Sequence, residues 1–189
     1  VRNASKMTVS DIGREILGLP HAEWVTISGG NPVLHDLGKL VDLLHANDFL
    51  VAVETQGSTW KPWLLRVDRL TISPKPPSSG MVNPFLSEFL DHALSQVPAC
   101  IKIPVYDIDD LNWAEQIHLE YPEFDVYLSI VTEMGGLHGD FAEGRVDSAG
   151  DLLGRYRGIA EAFLQRPSFS DARIIPQLHY LIWGNVTGV

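Results

Sequence analysis

Three short polar segments each follow a stretch of apolar residues that is typical of a β-strand. They are Ser28-Gly29-Gly30-Asn31-Pro32, Glu54-Thr55-Gln56-Gly57-Ser58 and Ser73-Pro74-Lys75-Pro76. Helical patterns between the stretches predict parallel strands, whose carboxyl ends lie side by side at one edge of a sheet. Because α/β proteins bind their ligands at that edge, the sequence predicts one binding site built from three loops.

The first loop offers backbone groups to a ligand. Gly29 and Gly30 permit positive φ and close approach to the main chain, so the amides of this loop can hold an anionic or polar group. Asn31 suits the residue before a helix, and Pro32 suits the first helical position. In isolation the same motif also fits an ordinary strand-to-helix turn.

The second and third loops each carry a charge. Glu54 ends a strand whose apolar residues, 49–53, predict burial on both faces, so its carboxylate needs a partner. The hydroxyl pair of a ribose would supply one, and so would a salt bridge to Lys75 or Lys102. The prolines around Lys75 restrict the backbone and suit a fixed ammonium that binds a carboxylate, although a solvated lysine is the commoner case.

A fourth candidate region lies near the C-terminus. A strand predicted over residues 173–178 leads into Gln177 and His179, which the two-residue period of a strand places on one face. Their side chains can read the hydrogen-bonding edge of a heterocycle, whereas the alternative for the histidine is a packed or surface position. The histidines show no metal-ligand spacing, so no metal site is predicted from this sequence.

Apolar periodicity predicts the elements that position these residues. Strands are predicted at 24–27, 49–53, 69–73, 99–105, 126–131 and 173–178, and helices at 8–19, 34–47, 59–67, 85–96, 109–121 and 151–165. Residues 133–150 have no periodicity and predict a long loop. Six strands are too few for a complete eight-stranded barrel and the chain begins with a helix, so the sequence predicts a single α/β domain over residues 1–189, a partial parallel βα barrel without its first strand. An open doubly wound sheet is the alternative.

Composition narrows the class of protein. The 189 residues are 45% hydrophobic and 20% charged, without the uninterrupted stretch of roughly eighteen apolar residues that a membrane span needs. Fourteen basic and twenty-four acidic residues give a net charge of −10, which argues against a nucleic-acid partner. No leader pattern opens the chain, so a cytoplasmic location is expected. The one cysteine, Cys100, excludes an internal disulfide and is predicted to be a small buried hydrophobe.

In this order the motifs resemble the 7-carboxy-7-deazaguanine synthase family of radical S-adenosylmethionine enzymes. The matching segments are residues 25–32, 53–58, 70–81 and 176–185. The resemblance implies a partial βα barrel and a lyase that converts 6-carboxy-5,6,7,8-tetrahydropterin to 7-carboxy-7-deazaguanine in queuosine-type deazapurine biosynthesis. It also implies S-adenosylmethionine, a [4Fe-4S] cluster, magnesium and an electron donor.

The resemblance assigns roles to two groups of residues. The residues expected to bind S-adenosylmethionine are Gly29, Gly30, Asn31 and Pro32 at its amino group, Glu54 at its ribose, and Ser73 and Lys75 at its polar end. The residues expected to contact the pterin are Thr55, Gly57, Gln177 and His179. Asn31 offers a neutral amide where the wider superfamily usually has a glutamate.

The cluster sets a limit on this interpretation. In the family three cysteines of one loop hold it, and a threonine beside that loop binds the magnesium, whereas this sequence contains one cysteine. The expectation is therefore a chain that lacks the N-terminal cluster-bearing segment and is inactive as it stands. Two alternatives are a non-catalytic protein that binds a pterin, a purine or S-adenosylmethionine, and an unrelated βα enzyme acting on a phosphorylated substrate. The sequence leaves a homodimer open.

Overall fold

The structure is a computed structural model that describes residues 6–19, 22–81, 83, 86–94, 96–131 and 149–183. The chain divides into two compact units. The first comprises Val1–Ile72 and Pro84–Ala99, and the second comprises Ser73–Asn83 and Cys100–Val189. A single domain over the whole chain stays a prediction.

The described residues form strands and helices that alternate along the chain. The strands are β1 (Trp24–Ile27), β2 (Leu50–Thr55), β3 (Arg69–Ile72), β4 (Ala99–Val105), β5 (Asp125–Ile130) and β6 (Arg173–Ile175). The helices are α1 (Val9–Leu17), α2 (Gly38–His45), α3 (Leu86–Leu94), α4 (Ile108–Glu120), α5 (Ala149–Leu164) and α6 (Leu178–Trp183). Short 3-10 turns occupy Pro32–Leu34, Pro62–Arg66, Pro77–Ser79 and Pro167–Phe169.

In the first unit, β2 pairs in parallel with β1 on one side and β3 on the other. Val51, Val53 and Thr55 form one face of β2 and are fully buried, whereas the residues between them are half-buried. The predicted burial on both faces is therefore wrong for the face that carries Glu54. The alternation also shows that Glu54 and Thr55 belong to the strand itself rather than to the loop after it.

Helix packing in the first unit follows the apolar spacing of the sequence. Thr8 and Asp11 form a capping box that starts α1. Leu40, Val41 and Leu44 of α2 are buried at the spacing of one helix face and pack this helix against β2. These contacts hold the end of β1 and the end of β2 in one compact unit, and the loops that follow them carry the first two motifs.

In the second unit, β5 pairs in parallel with β4 and β6. The Asp107 carboxylate caps α4 by accepting a hydrogen bond from the Asp110 backbone N–H, and α4 packs against α5. Apolar strand and helix positions supply much of the buried core of this unit, among them Ile101, Ile103, Val105, Leu111, Ala114, Leu128 and Ile130. Cys100 is only half-buried, which corrects its predicted burial.

The parallel βα pattern confirms the predicted α/β class, and most element bounds lie within a few residues of those predicted. The helix predicted at 59–67 is the 3-10 turn Pro62–Arg66, and the one predicted at 34–47 divides into Pro32–Leu34 and α2. Of the loop predicted at 133–150, residues 133–148 lie outside the described residues, and the last two begin α5. None of the helices in the described ranges combines the length and hydropathy that a membrane span needs.

The structure corrects the C-terminal strand. β6 ends at Ile175, because Pro176 has no N–H group with which to continue the ladder. The chain then turns into α6, where the Leu181 N–H donates to the carbonyl oxygen of Gln177 at 3.2 Å. Gln177 and His179 therefore do not share the face of a strand.

Candidate functional site

The loop after β1 is exposed and shaped by two glycines. Ser28, Gly29 and Gly30 all lie at the surface. The φ angle is +82° at Gly29 and +52° at Gly30, and apart from the adjoining residues no atom in the described part of the chain lies within 4 Å of the position that a Cβ would take at either residue. These glycines are thus needed for their backbone conformation rather than for tight packing, and they leave open space in which a ligand can approach the main chain.

Asn31 connects this loop to the end of β2. It precedes the 3-10 turn Pro32–Leu34, but its side chain makes no capping bond, and the residue is only 7% exposed. Its Nδ2 donates to Ser58 Oγ at 2.8 Å, and its Oδ1 accepts from Thr55 Oγ1 at 2.7 Å. The predicted N-cap position of Asn31 before Pro32 is therefore confirmed, but its side chain bonds elsewhere, and we call Asn31, Thr55 and Ser58 the amide–hydroxyl chain.

Thr55 and Gly57 shape the turn that follows β2. The Thr55 hydroxyl, on a residue only 2% exposed, also accepts a hydrogen bond from the Gly57 N–H at 3.3 Å. Gly57 has a φ of +73°, and a Cβ there would lie 3.1 Å from Ile72 Cγ2 and 3.2 Å from Leu86 Cδ1. Both the backbone conformation and the surrounding packing therefore require glycine at this position.

Glu54 lies on the opposite side of β2 from the amide–hydroxyl chain. Adjacent residues of a strand point to opposite faces, and Glu54 is half-buried while Thr55 is fully buried. Its register partner in β3 is Thr71. The carboxylate is therefore partly accessible to solvent, as a group that contacts a ligand must be.

A cavity of about 290 Å³ opens beside Ser58 in the first unit. Trp60 and Phe89 form its aromatic part, with ring centroids 5.2 Å apart in an edge-to-face arrangement. Ser58, Thr59 and Glu88 supply its polar atoms. One end of the amide–hydroxyl chain thus borders a cleft that has both apolar and polar walls.

The third motif lies in the second unit, in the segment that follows β3. Ser73 and Lys75 are half-buried, and Pro74 and Pro76 are buried. A proline on each side of Lys75 fixes two φ angles and removes two backbone N–H groups from the segment. The Lys75 side chain is thus partly shielded from water on a backbone with little conformational freedom.

Asp110 anchors the same segment. Its carboxylate is completely buried, with Oδ1 accepting from the Ser78 N–H at 2.9 Å and Oδ2 accepting from the Ser78 hydroxyl at 2.6 Å. Oδ2 also accepts from the Tyr106 N–H at 2.9 Å. Sequence reasoning missed Asp110 and Ser78, because the Asp107-x-x-Asp110 spacing indicates the start of a helix and not the contact with Ser78.

The structure places the predicted residues in separate groups. Asn31, Thr55 and Gly57 are brought together in the first unit by hydrogen bonds. Gln177 is half-buried directly before α6, and His179 lies within that helix, where its side chain is outside the described residues. A pterin contact by these two residues stays a prediction.

The residues of this chain fit S-adenosylmethionine better than they fit a [4Fe-4S] cluster. The open glycine loop, the half-buried Glu54 and the half-buried Lys75 offer polar contacts of the kinds that the amino acid and ribose parts of S-adenosylmethionine require. A [4Fe-4S] cluster needs several thiolates, and the one cysteine of this sequence cannot supply them. The described residues contain no group of three or more His, Cys, Asp or Glu side chains placed to hold a metal ion.

Comparison with known proteins identifies close relatives. The chain is 36% identical to the 7-carboxy-7-deazaguanine synthase of Bacillus cereus over 193 aligned residues, which cover 97% of this chain and 77% of the relative. It is 35% identical to the 7-carboxy-7-deazaguanine synthase of Bacillus subtilis, covering 97% of this chain and 76% of the relative. No protein-family model matches the chain.

Solved structures share its fold. QueE from Escherichia coli matches with a TM-score of 0.60 and 23% identity over 90% of this chain, and the chain spans 64% of that protein. SuiB from Streptococcus suis bound to S-adenosylmethionine matches with a TM-score of 0.63 and 12% identity over 95% of this chain, which spans 46% of SuiB. These likenesses confirm the predicted partial-barrel class and favour it over the doubly wound alternative.

Proposed function

We propose that this chain, which belongs to the 7-carboxy-7-deazaguanine synthase family, acts in the conversion of 6-carboxy-5,6,7,8-tetrahydropterin to 7-carboxy-7-deazaguanine, a carbon–nitrogen lyase reaction of queuosine-type biosynthesis. The observation that carries the proposal is the amide–hydroxyl chain. It joins the Ser28-Gly29-Gly30-Asn31-Pro32 and Glu54-Thr55-Gln56-Gly57-Ser58 segments by hydrogen bonds of 2.7 Å and 2.8 Å. Two of the segments that resemble the family are thus joined to each other by direct hydrogen bonds.

The proposed cofactor is S-adenosylmethionine. The backbone of residues 29–32 would bind its amino group, Glu54 its ribose hydroxyls, and Ser73 and Lys75 its carboxylate. The open space at Gly29 and Gly30 and the half-burial of Glu54 and Lys75 support these roles. When bound and reductively cleaved, this cofactor supplies the 5′-deoxyadenosyl radical that takes a hydrogen atom from the substrate.

The proposed substrate contacts are Thr55, Gly57, Gln177 and His179. Gln177 supports this assignment because it is half-buried and carries both a donor and an acceptor that suit a pterin edge. The Thr55 hydroxyl already makes two hydrogen bonds, so its contribution is to hold the turn at Gly57 in place. Substrate contacts in this turn would then come from the backbone.

Several finer parts of the proposal have only the family resemblance or the sequence behind them. They are the [4Fe-4S] cluster, magnesium, an external electron donor, homodimer formation and a cytoplasmic location. The cluster needs thiolate ligands beyond Cys100, so the roles proposed for this chain concern only what its own residues bind and orient.

The test is conversion of the pterin under strict anaerobic conditions. Protein expressed from the complete reading frame and reconstituted with iron and sulfide should convert 6-carboxy-5,6,7,8-tetrahydropterin to a product with the mass of 7-carboxy-7-deazaguanine when S-adenosylmethionine and a reductant are supplied. Glu54→Gln should weaken S-adenosylmethionine binding by about tenfold, as expected for a lost hydrogen bond to a charged group.

A second candidate is a binding protein without turnover, which the single cysteine favours. Calorimetry on the 189-residue chain separates the two functions. Tight binding of the pterin or of S-adenosylmethionine, together with no product from the reconstituted protein, supports the binding protein. If neither compound binds and no product forms, both candidates are wrong.

A further inference from the structure

We propose that Asp110 is a positioning residue that holds the segment bearing Ser73 and Lys75 in its ligand-binding form. The inference rests on the proposed function, because it assumes that Ser73 and Lys75 meet the cofactor. It assigns a role to a buried carboxylate that lies outside every motif in the sequence. The contacts that support this role all lie within the second unit.

Asp110 occupies a site that supplies its carboxylate with hydrogen-bond donors. Its side chain is completely buried, yet both carboxylate oxygens have hydrogen-bond donors, two of them from Ser78 and one from Tyr106. Burying a carboxylate without such partners is very unfavourable. The three donors belong to two different segments, one following β3 and one following β4, so this single side chain ties both segments together.

The segment around Ser78 also makes short-range hydrogen bonds of its own. The Ser79 N–H and the Ser79 hydroxyl both donate to the Pro76 carbonyl, at 3.0 Å and 2.6 Å. The Gly80 N–H donates to the Pro77 carbonyl at 3.0 Å, and Gly80 has a φ of +66°. These bonds make residues 76–80 a compact turn, and the bonds to Asp110 fix where that turn lies.

Lys75 stands directly before this turn. Ser78 follows it closely in the chain, and the prolines at 74, 76 and 77 leave few free backbone torsions in this stretch. A shift at Ser78 would therefore be passed along the chain to the ammonium group. None of the three donors to Asp110 is Lys75 itself, so the anchor does not neutralise the cation that it positions.

The start of α4 has a cap other than the Asp110 carboxylate. Asp107 already caps the helix, since its side chain accepts the Asp110 N–H at 2.9 Å. The Asp110 side chain is directed to Ser78 and Tyr106 instead. A second interaction supports the Tyr106 end, where the Arg155 guanidinium lies 4.2 Å from the Tyr106 ring centroid and donates to the Val131 carbonyl at 3.0 Å.

The test compares Asp110→Asn with Asp107→Ala as a matched control on the same helical turn. Both variants should lower the melting temperature, since each loses an interaction at the start of α4. Only Asp110→Asn should speed hydrogen–deuterium exchange across residues 78–81 and raise the dissociation constant for S-adenosylmethionine, by about tenfold. Ser78→Ala removes one of the three hydrogen bonds to Asp110, and it should raise the same exchange rates and the same dissociation constant, the latter by about threefold. This variant replaces Asp110→Asn in the test if Asp110→Asn does not fold.

The outcomes separate this inference from the proposed function. If Asp110→Asn lowers the melting temperature while exchange in residues 78–81 and cofactor affinity match those of Asp107→Ala, Asp110 is structural only and the inference is overturned. If the unaltered chain does not bind S-adenosylmethionine, the cofactor part of the proposed function fails, and the exchange measurement still decides whether Asp110 fixes the segment.

Discussion

The loop after β1 and the segment after β3 are held in place by different chemistry. In the first unit the neutral Asn31 amide bridges two hydroxyls, whereas in the second unit a buried carboxylate, Asp110, receives three donors. The Asn31 amide is neutral, so it adds no charge to the loop that is proposed to bind the amino group of S-adenosylmethionine. The Asp110 carboxylate contacts the segment that bears Lys75, and it accepts hydrogen bonds from Ser78 and Tyr106. The two anchors thus differ both in charge and in the number of donors that they accept.

The two kinds of anchor should differ in how much stability depends on them. Removing one partner from a neutral hydrogen bond lowers the stability modestly. Removing a buried carboxylate takes the acceptor away from every donor that is bound to it, and should lower the stability more. The following substitutions test this difference.

Asp110→Ala should produce the largest loss. It removes a fully buried carboxylate and with it the acceptor of the Ser78 N–H, the Ser78 hydroxyl and the Tyr106 N–H, so the free energy of unfolding should fall by about 3 kcal/mol. Urea denaturation measures the change. Ser79→Ala is the control, because it touches the same turn without contacting Asp110, and an equal loss in both variants would contradict the special role of the carboxylate.

Gly57→Ala should have the next largest effect. The residue has a φ of +73°, and a Cβ would press against Ile72 and Leu86, so we expect a loss of about 2 kcal/mol. Gly29→Ala, at a similar φ but with open space around it, should lose only about 1 kcal/mol. Thermal denaturation of the two variants compares them directly. Equal losses of stability in the two variants would show that the packing around Gly57 does not help to hold the amide–hydroxyl chain in place.

Thr55→Val tests the neutral anchor itself. The substitution keeps the shape of the side chain but removes the hydroxyl that donates to Asn31 and accepts from Gly57, for an expected loss of about 1.5 kcal/mol. Thr55→Ser keeps that hydroxyl and should retain more of the stability. A loss as large as that of Asp110→Ala would mean that neutral and charged anchors do not differ in this protein.

The sequence was sufficient to locate the elements but not the anchors. Apolar and β-branched residues placed β1 and β4 at their observed bounds, because such residues favour strands, although no residue of β1 is fully buried. The same criterion failed after Pro176, where a short apolar run forms α6 and not the end of a strand, since such a run has no distinguishing period.

The anchors escaped prediction because their partners are distant in the chain. A local rule treats Asn31 as a helix cap, yet its side chain binds Ser58, 27 residues away. Asp110 has the local pattern of a residue in a helical first turn, and its partner Ser78 is 32 residues away. In both cases a tertiary hydrogen bond outweighs the local preference, and no spacing in the sequence records it.

Asp68 sharpens the comparison, because it also accepts a backbone N–H but is not fully buried. It accepts from the Val51 N–H at 2.7 Å and lies 2.8 Å from His45 Nε2, with 31% of its side chain exposed. Partial burial acts to raise the pKa of Asp68, but the hydrogen bonds from Val51 and His45 outweigh it and hold the pKa below its usual value.

The sign of the pH dependence follows from this lowered pKa. Folding favours the ionised carboxylate, so Asp68 stabilises the protein above its unfolded pKa of about 3.9, and this contribution disappears as the pH falls through the lower pKa of the folded state. Because solvent screens the group, Asp68→Asn should lower the free energy of unfolding by only about 0.5 kcal/mol at pH 7. In urea denaturation the difference from the unaltered protein should shrink steadily below about pH 4. If the difference in unfolding free energy stays constant across this range, the geometry of the Asp68 side chain stabilises the protein and its charge does not. Exposure to solvent would then not explain why Asp68 and Asp110 differ.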